Sequence, residues 1–245
     1  MFNRISWFKL SFILPVLLLA LTLIATAQSV EVNQAFERGT EAFHRGAYER
    51  AIFEYRAALT WPGQHEARAH FNVAVCQHRL GRLREAVSEY RLAIKQRGGK
   101  YPTASYALGV ALQSLRQHRE ARDAFAQAVE VSDGKHADAL FELGLYAQAA
   151  RDTQTAVDLY TRSIKQSKDR LPASHNNLGV ILAGYGQMED ARREFEIALQ
   201  QSRGKFDEAR DNLSRCRDLI SSKSQTLIAD LKTSAGLARI GIAGD

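Results

Sequence analysis

Residues 106–129 have the sequence YALGVALQSLRQHREARDAFAQAV, and this stretch contains the pattern that decides the fold. Ala121, Phe125 and Val129 are spaced four residues apart, so a helix would place them on one apolar face. Gly109 precedes Ala121 by twelve residues, and a residue this small allows two helices to approach closely. The stretch therefore predicts two helices joined by a short turn.

The same pattern occurs five times at a spacing of 35 residues. The recurring alanines are Ala51, Ala86, Ala121, Ala156 and Ala191. An aromatic residue follows each alanine by four positions, at Tyr55, Tyr90, Phe125, Tyr160 and Phe195. The five copies cover residues 32–66, 67–101, 102–136, 137–171 and 172–206. A fixed period of this length is typical of proteins built from stacked structural repeats.

These copies resemble the tetratricopeptide repeat family. The first and last matching stretches have the sequences FERGTEAFHRGAYERAIFEYRAAL and NNLGVILAGYGQMEDARREFEIAL. The resemblance implies an all-α fold, a right-handed superhelical solenoid of antiparallel helix hairpins, in which the first helix of each hairpin lines a concave groove. We expect residues 207–222 to form a capping helix, and residues 223–245 to form a further helix with a frayed tail.

Residues 1–27 have the features of an export signal. Arg4 and Lys9 precede an apolar run over residues 10–25, and Ala25-Thr26-Ala27 provides the small residues that signal peptidase recognises. Cleavage after Ala27 would give a periplasmic or secreted protein. The alternative is an uncleaved signal anchor that holds the repeats outside the cytoplasm, since residues 10–27 approach the length of a membrane span.

The family resemblance also implies which side chains face the groove. We define three groove rows from the first helices. The first row is Phe36, Phe71, Tyr106, Phe141 and Asn176. The second row is Thr40, Val75, Val110, Leu145 and Val180. The third row is Phe43, His78, Gln113, Gln148 and Ala183.

Aligned aromatic and aliphatic side chains favour a groove that binds an extended peptide or an amphipathic helix. The alternative is that these side chains pack against neighbouring hairpins, or that the C-terminal helix fills the groove. Asn72, Asn177 and Asn212 share another first-helix position, which in some family members hydrogen-bonds the backbone of a bound peptide. They could equally be surface residues.

A basic residue recurs in the loops between hairpins, and we call this set the basic edge: Lys100, Lys135, Arg170 and Lys205. The basic edge could attract an acidic partner or anionic lipid headgroups. It could also consist of solvated charges near helix ends.

The sequence contains no pattern typical of an enzyme, a metal site or a cofactor site. It has no His-Glu-x-x-His motif and no phosphate-binding loop, and Cys76 and Cys216 lie four hairpins apart. A net charge of +6 is too small to indicate a nucleic-acid binder. The sequence therefore predicts an exported, non-enzymatic scaffold that binds a protein partner in the cell envelope. The alternatives are a membrane-anchored assembly factor, or a structural module that binds an envelope polymer through the basic edge.

Overall fold

The computed structural model describes residues 4–61, 63, 65–168 and 170–222, and helices account for most of them. Within these ranges the structure has eleven α-helices, one 3-10 helix over Ala58–Thr60, and no strand. The predicted helix and tail at 223–245 lie outside the described residues. The α-helices are α1 (Arg4–His44), α2 (Tyr48–Ala57), α3 (Glu66–Arg79), α4 (Leu83–Gln96), α5 (Pro102–Ser114), α6 (His118–Val131), α7 (Ala137–Ala149), α8 (Thr153–Gln166), α9 (Pro172–Gly184), α10 (Met188–Gln201) and α11 (Asp207–Ser222).

The chain divides into two compact units. Unit 1 is Met1–Gly98, with α1 to α4, and unit 2 is Gly99–Asp245, with α5 to α11. Within unit 1 the hairpins α1–α2 and α3–α4 pack against each other through α2 and α3. Within unit 2 the hairpins α5–α6, α7–α8 and α9–α10 stack in order, and α11 packs against α10 and α9. The predicted all-α arrangement of antiparallel hairpins is confirmed.

The 35-residue pattern marks the contact between the two helices of each hairpin. All five recurring alanines are fully buried. The small residue of the first helix faces the recurring aromatic of the second. A Cβ atom added at Gly109 would lie 2.6 Å from Phe125 Cε1, and one added at Gly144 would lie 2.5 Å from Tyr160 Cε1. The absence of a side chain at these positions therefore allows the aromatic ring to pack directly on the helix backbone.

The turns inside the hairpins share one backbone conformation. Gly81 and Gly186 have φ angles of 74° and 77°, in the left-handed region that favours glycine. Arg116 and Arg151 occupy the same turn position in other hairpins, with φ angles of 60° and 62°. The turn thus keeps the same backbone conformation where arginine replaces glycine. An L residue in this region has a higher conformational energy than glycine.

The first hairpin differs from the others at both of its ends. α1 is continuous from Arg4 to His44, so the described part of the predicted signal segment joins the first repeat without a break in the helix. Among the described residues, no helix combines the length and hydropathy that a membrane span requires.

α2 has 10 residues, whereas α4, α6, α8 and α10 have 14 each. Leu59 occupies the repeat position of Val129, so the repeat pattern predicts a helix up to this residue, but residues 58–60 form a 3-10 turn instead. Trp61 precedes Pro62 and adopts an extended conformation, with φ −113° and ψ 116°. A residue before proline is disfavoured in the helical region, which explains the early end of the helix.

Candidate functional site

The aromatic side chains of the first groove row pack inside their own hairpins. In four hairpins a first-helix ring contacts the recurring second-helix ring. The ring centroids are separated by 5.8, 5.8, 5.6 and 5.8 Å in the pairs Phe36–Tyr55, Phe71–Tyr90, Tyr106–Phe125 and Phe141–Tyr160. Aromatic pairs at this distance stabilise a fold beyond the area that they bury. These rings therefore help to hold the two helices of each hairpin together.

Burial differs along the first groove row. Phe36 and Phe141 are 3% and 6% exposed, and Asn176 is fully buried. Phe71 and Tyr106 are half-buried. The burial of Phe36 and Phe141 favours a packing role for these two rings. Phe71 and Tyr106 retain surface that a partner could contact, so their role as anchors stays a prediction.

The second groove row is mostly covered. Val75 and Val110 are buried, whereas Leu145 and Val180 are half-buried. Thr40 is exposed, and its hydroxyl lies 3.2 Å from the hydroxyl of Tyr55. The structure therefore leaves three residues of this row with surface for a partner.

The third groove row makes polar contacts within the repeats. Phe43, His78, Gln113 and Gln148 are half-buried, and Ala183 is buried. Gln148 Oε1 accepts a hydrogen bond of 2.8 Å from the hydroxyl of Tyr160. His78 Nδ1 is buried and has no hydrogen-bond partner among the described residues, and burial lowers the pKa of this histidine.

Unit 1 has a cleft of about 730 Å³ on the face formed by its first helices. Two of its lining residues, Phe36 and Thr40, belong to the predicted groove rows. The others are Asn33, Glu37, Glu41, His44 and Arg45 of α1 and Arg68 of α3. The volume lies in the range of clefts that hold small ligands or a few residues of a peptide. The cleft thus contains two predicted groove residues of α1, whereas α3 contributes Arg68, which is outside the predicted rows.

Arg68 is a cleft residue that the sequence analysis missed. Its guanidinium carbon lies 3.7 Å from the centre of the Phe36 ring. Among the described residues, no carboxylate oxygen lies within ion-pair distance of its guanidinium nitrogens, whereas Arg45 pairs with Glu41 at 2.6 Å. A guanidinium stacked on a ring keeps its N–H groups available at the edge of its plane. Arg68 can therefore donate to a carboxylate or a carbonyl group in the cleft.

Unit 2 contains a buried carboxylate, Glu142 of α7, which the sequence analysis also missed. Glu142 is 2% exposed, and Gln113 Nε2 donates a hydrogen bond of 3.2 Å to its Oε2. Burial raises the pKa of Glu142 to about 7, the Gln113 hydrogen bond opposes this shift, and the charge of Asp138 adds to it. Glu142 occupies the repeat position of Asn72 and Asn177. Comparing the copies at this position would therefore have marked the carboxylate as a candidate.

The predicted peptide-binding asparagines of unit 2 take part in a buried hydrogen-bond network. Asn212 Nδ2 donates to Asn176 Oδ1 at 2.9 Å, and Asn176 Nδ2 donates to Asn177 Oδ1 at 3.3 Å. Asn177 Nδ2 in turn donates to the hydroxyl of Tyr160 at 3.3 Å. Asn177 and Asn212 are fully buried, whereas Asn72 in unit 1 is half-buried. In this structure the Asn177 and Asn212 amides therefore stabilise the unit from within.

Two histidines join the helices of their hairpins through the same contact. His70 Nδ1 lies 2.6 Å from Glu89 Oε2, and His175 Nδ1 lies 2.6 Å from Glu194 Oε2. The two pairs occupy equivalent repeat positions. Each links a first helix to a second helix, which indicates a role in hairpin packing.

The described residues contain no grouping typical of a catalytic or metal centre. No cluster of three or more His, Cys, Asp or Glu side chains that could hold a metal lies among them. Both cysteines are buried and free. Burial raises the pKa of the Cys76 thiol to about 12, so this thiol stays protonated and is a poor nucleophile near neutral pH.

The basic edge lies entirely in unit 2, and all four of its side chains are exposed. They stand in the loops that precede α5, α7, α9 and α11. Because the hairpins of unit 2 stack in order, these loops follow one another along the same end of the stack.

Comparison with known proteins gives a consistent fold. The family model of the tetratricopeptide repeat matches residues 36–103 and 106–170. The structure of PilF from Pseudomonas aeruginosa is 18% identical, with a TM-score of 0.63 over 83% of this chain and 97% of that chain. MamA from Desulfovibrio magneticus is 16% identical, with a TM-score of 0.57 over 72% of this chain and 97% of that one.

A third similar structure is that of YrrB, described as a repeat protein of this kind with an unusual peptide-binding site. It is 20% identical, with a TM-score of 0.54 over 70% of this chain and 86% of that chain. No curated protein matches the sequence. At these identities the structural likenesses show the fold alone.

Proposed function

Because the chain belongs to the tetratricopeptide repeat family, we propose that it is a non-enzymatic scaffold that binds a protein partner on the first-helix faces of its hairpins. The observation that carries this proposal is the cleft of unit 1, which is formed by first helices and is lined by Phe36 and Thr40 of the predicted rows. Repeat proteins of this type commonly use such surfaces for binding. The peptide-binding site described for YrrB supports a peptide as the class of partner.

The chemistry of the cleft favours a peptide segment that combines polar and apolar groups. The stem of Arg68, which is exposed and lies over the buried Phe36 ring, offers apolar surface, and the Arg68 guanidinium offers hydrogen-bond donors. Asn33, Glu37 and His44 are exposed along one side of α1 and can accept or donate hydrogen bonds. A partner would gain affinity by packing on the Arg68 stem and pairing with these polar groups.

Charge reversal at Glu37 tests this proposal, because Glu37 lines the cleft and is exposed, so Glu37→Lys leaves the core intact. The matched control is Glu85→Lys, which makes the same charge change at an exposed position of α4, a second helix of unit 1. The assay is a crosslinking pull-down from the cell envelope with the wild-type protein and both variants. We expect Glu37→Lys to lose the captured partner and Glu85→Lys to retain it. Equal capture by all three proteins would contradict binding in the cleft.

Tyr106→Asp would remove a side chain of the first groove row, but it would also disturb packing, so it does not test the groove alone. The Tyr106 ring contacts Phe125 at 5.6 Å and His136 at 4.9 Å between ring centres. Burial also raises the pKa of the Tyr106 hydroxyl. A carboxylate at this position would lose both ring contacts and enter a poorly hydrated environment, so we expect a large loss of stability together with any loss of binding.

We further propose that the protein acts in the cell envelope, after export directed by residues 1–27. The charged start, the apolar run and Ala25-Thr26-Ala27 support cleavage after Ala27. In that case the processed protein begins at Gln28, which N-terminal sequencing of material from cells would detect. An intact Met1 on membrane-bound material would instead support the alternative of an anchored assembly factor.

A further inference from the structure

Charge is unevenly distributed in unit 2. Residues 99–222 contain seventeen basic and seventeen acidic residues, so this part of the chain is formally neutral. The loops that precede its first helices, at 99–101, 132–136, 167–171 and 202–206, contain six basic residues and two acidic ones, Asp133 and Asp169. The basic edge supplies four of the six, and Lys168 and Arg203 supply the others. These loops therefore carry a net charge of +4 within a formally neutral unit.

Hydrogen bonds order the backbone of three of these loops. Lys135 N–H donates to Ser132 O at 3.1 Å, and Lys205 N–H donates to Ser202 O at 3.1 Å. The Arg170 N–H donates to Ser167 Oγ at 3.4 Å. Three of the four loops thus fix the backbone of their basic residue through a serine.

In two of the loops, the residue after the basic residue anchors the loop to the hairpin below it. His136 packs against Tyr106, with 4.9 Å between ring centres, and Leu171 packs against the buried cluster that contains Phe141. Lys135 and Arg170, which precede them, are exposed. These two loops therefore direct one side chain into the unit and one cation into solvent.

Within the part of unit 2 that the structure describes, the cations of these loops have no ion-pair partner. Among the described residues, no carboxylate lies within 4.0 Å of the charged groups of the basic edge, Lys168 or Arg203, although other surface cations such as Arg192 and Arg217 are paired. Successive like charges repel one another, and a continuous anionic surface would relieve this repulsion.

Tyr101, Leu171 and Phe206 at this edge are half-buried, and among the described residues none of its large apolar side chains is strongly exposed. Among the described residues of unit 2, Tyr185 is the one large hydrophobic residue that is strongly exposed. It lies in the turn between α9 and α10, at the other end of the hairpins. Stable protein interfaces combine charge with a buried apolar centre. A row of cations without one fits mobile anionic headgroups, which can rearrange to meet each charge.

We propose that the basic edge of unit 2 docks on an anionic phospholipid membrane. The contact is made between the loop cations and headgroup phosphates, and it leaves the first-helix faces free for a partner. This interaction is separate from the proposed partner cleft of unit 1, so either can fail without the other.

The test uses the full chain and vesicles of phosphatidylcholine with or without phosphatidylglycerol. The variant combines Lys135→Gln, Arg170→Gln and Lys205→Gln, which removes three charges from exposed loop positions. At low salt each cation near an anionic surface contributes about fivefold to binding, so we expect the triple variant to bind the phosphatidylglycerol vesicles about a hundredfold more weakly. Cosedimentation over a range of lipid concentrations measures this loss.

A control variant removes the same charge from the second helices of unit 2, through Arg119→Gln, Arg122→Gln and Arg193→Gln, which are all exposed. We expect it to bind the anionic vesicles nearly as well as the wild type. Residues 1–27 are common to all three proteins, so any binding by that segment cancels in the comparison. Thermal melting by circular dichroism shows whether each variant is folded. If the triple edge variant is unfolded, the single change Lys205→Gln replaces it, with an expected loss of binding of about fivefold.

Three outcomes would overturn the proposal. The first is equal binding by the edge variant and the wild type, and the second is an equal loss in both triple variants, which would indicate bulk charge alone. The third is edge-dependent binding to soluble polyglutamate with no binding to anionic vesicles, which would assign the edge to an acidic protein surface. Added salt should release the wild type from anionic vesicles, because it screens the charges.

Discussion

Replacing Glu142 with glutamine should stabilise the protein in mildly alkaline solution and change little in acid. The carboxyl group is 2% exposed, and burial raises its pKa from 4.5 to about 7. Because the folded pKa lies above the unfolded one, folding favours the protonated form. The contribution of this group to stability is therefore complete below about pH 4.5 and is lost as the pH rises through about 7.

The size of the effect follows from the difference between the two pKa values. At 1.36 kcal/mol per pKa unit, ionisation of Glu142 removes about 3 kcal/mol of unfolding free energy once the pH is well above 7. Glutamine has nearly the same shape, stays neutral at every pH, and keeps an oxygen that can accept the 3.2 Å hydrogen bond from Gln113. The variant should thus keep the contact without the cost of burying a charge.

Urea unfolding of both proteins at about pH 5 and about pH 8 measures this difference. We expect Glu142→Gln to match the wild type at the lower pH and to exceed it by about 2–3 kcal/mol at the higher pH. Other titrating groups, such as His136, are shared by both proteins and cancel in the comparison. Glu130→Gln, at an exposed position of α6, controls for a general charge effect. A stability difference that is the same at both pH values would refute the assignment of the ionisation to Glu142.

Three further predictions concern the packing of the hairpins. Tyr90→Phe should stabilise the protein by about 1 kcal/mol in urea unfolding, because the buried Tyr90 hydroxyl has no hydrogen-bond partner among the described residues. When Val75→Thr is also present, the stability gained from Tyr90→Phe should be smaller. Val75→Thr places a hydroxyl at the repeat position from which Thr40 reaches Tyr55. Arg116→Gly should stabilise the protein by about 0.5–1 kcal/mol and so raise its melting temperature, because φ is 60° at this position. An unchanged or lower melting temperature would contradict a strained turn. Gly144→Ala should cost about 1–3 kcal/mol, because its Cβ would lie 2.5 Å from Tyr160 Cε1. Gly184→Ala, with nothing within 4 Å of its Cβ, should instead be neutral or stabilising.

The periodic part of the fold could be predicted because each recurring residue has one geometric requirement. Only a small residue fits at the positions of Ala121 and Gly109, where two helices meet, and the aromatic ring of Phe125 fills the space that remains. Such constraints act within about 20 residues of sequence and repeat in every copy. They therefore appear directly as spacing in the sequence.

The groove rows were harder to predict, because burial depends on side chains that are distant in sequence. Phe36 and Phe71 occupy the same repeat position, yet Phe36 is covered by Arg68 and His65 from the following hairpin, whereas Phe71 is half-buried. The repeat pattern assigns both residues the same position on a first helix. It contains no information about which neighbour covers each one, so the cleft at Arg68 could not be derived from it.

Variation at one repeat position shows how the units acquire different local chemistry on the same backbone. This position holds Asn72, Ala107, Glu142, Asn177 and Asn212 in consecutive hairpins. Asn177 and Asn212 belong to a hydrogen-bond network that runs from Gln148 through Tyr160 to Asn212. This network joins α7, α8, α9 and α11. A buried network of this kind ties the last helix to one orientation, because any shift would leave buried amides without partners.

Glu142 places a titratable group at that same position, where the asparagines place neutral amides. Its ionisation near neutral pH opposes the packing of α7 against α5, which it contacts through Gln113. Because hairpins in a repeat array contact only their neighbours, a change in protonation at α7 acts first on the adjacent hairpins of unit 2. The pH dependence of Glu142 should therefore appear as local opening in amide hydrogen exchange at α5 to α8, at a lower pH than global unfolding. Uniform loss of protection across unit 2 would show that its hairpins unfold as one cooperative body.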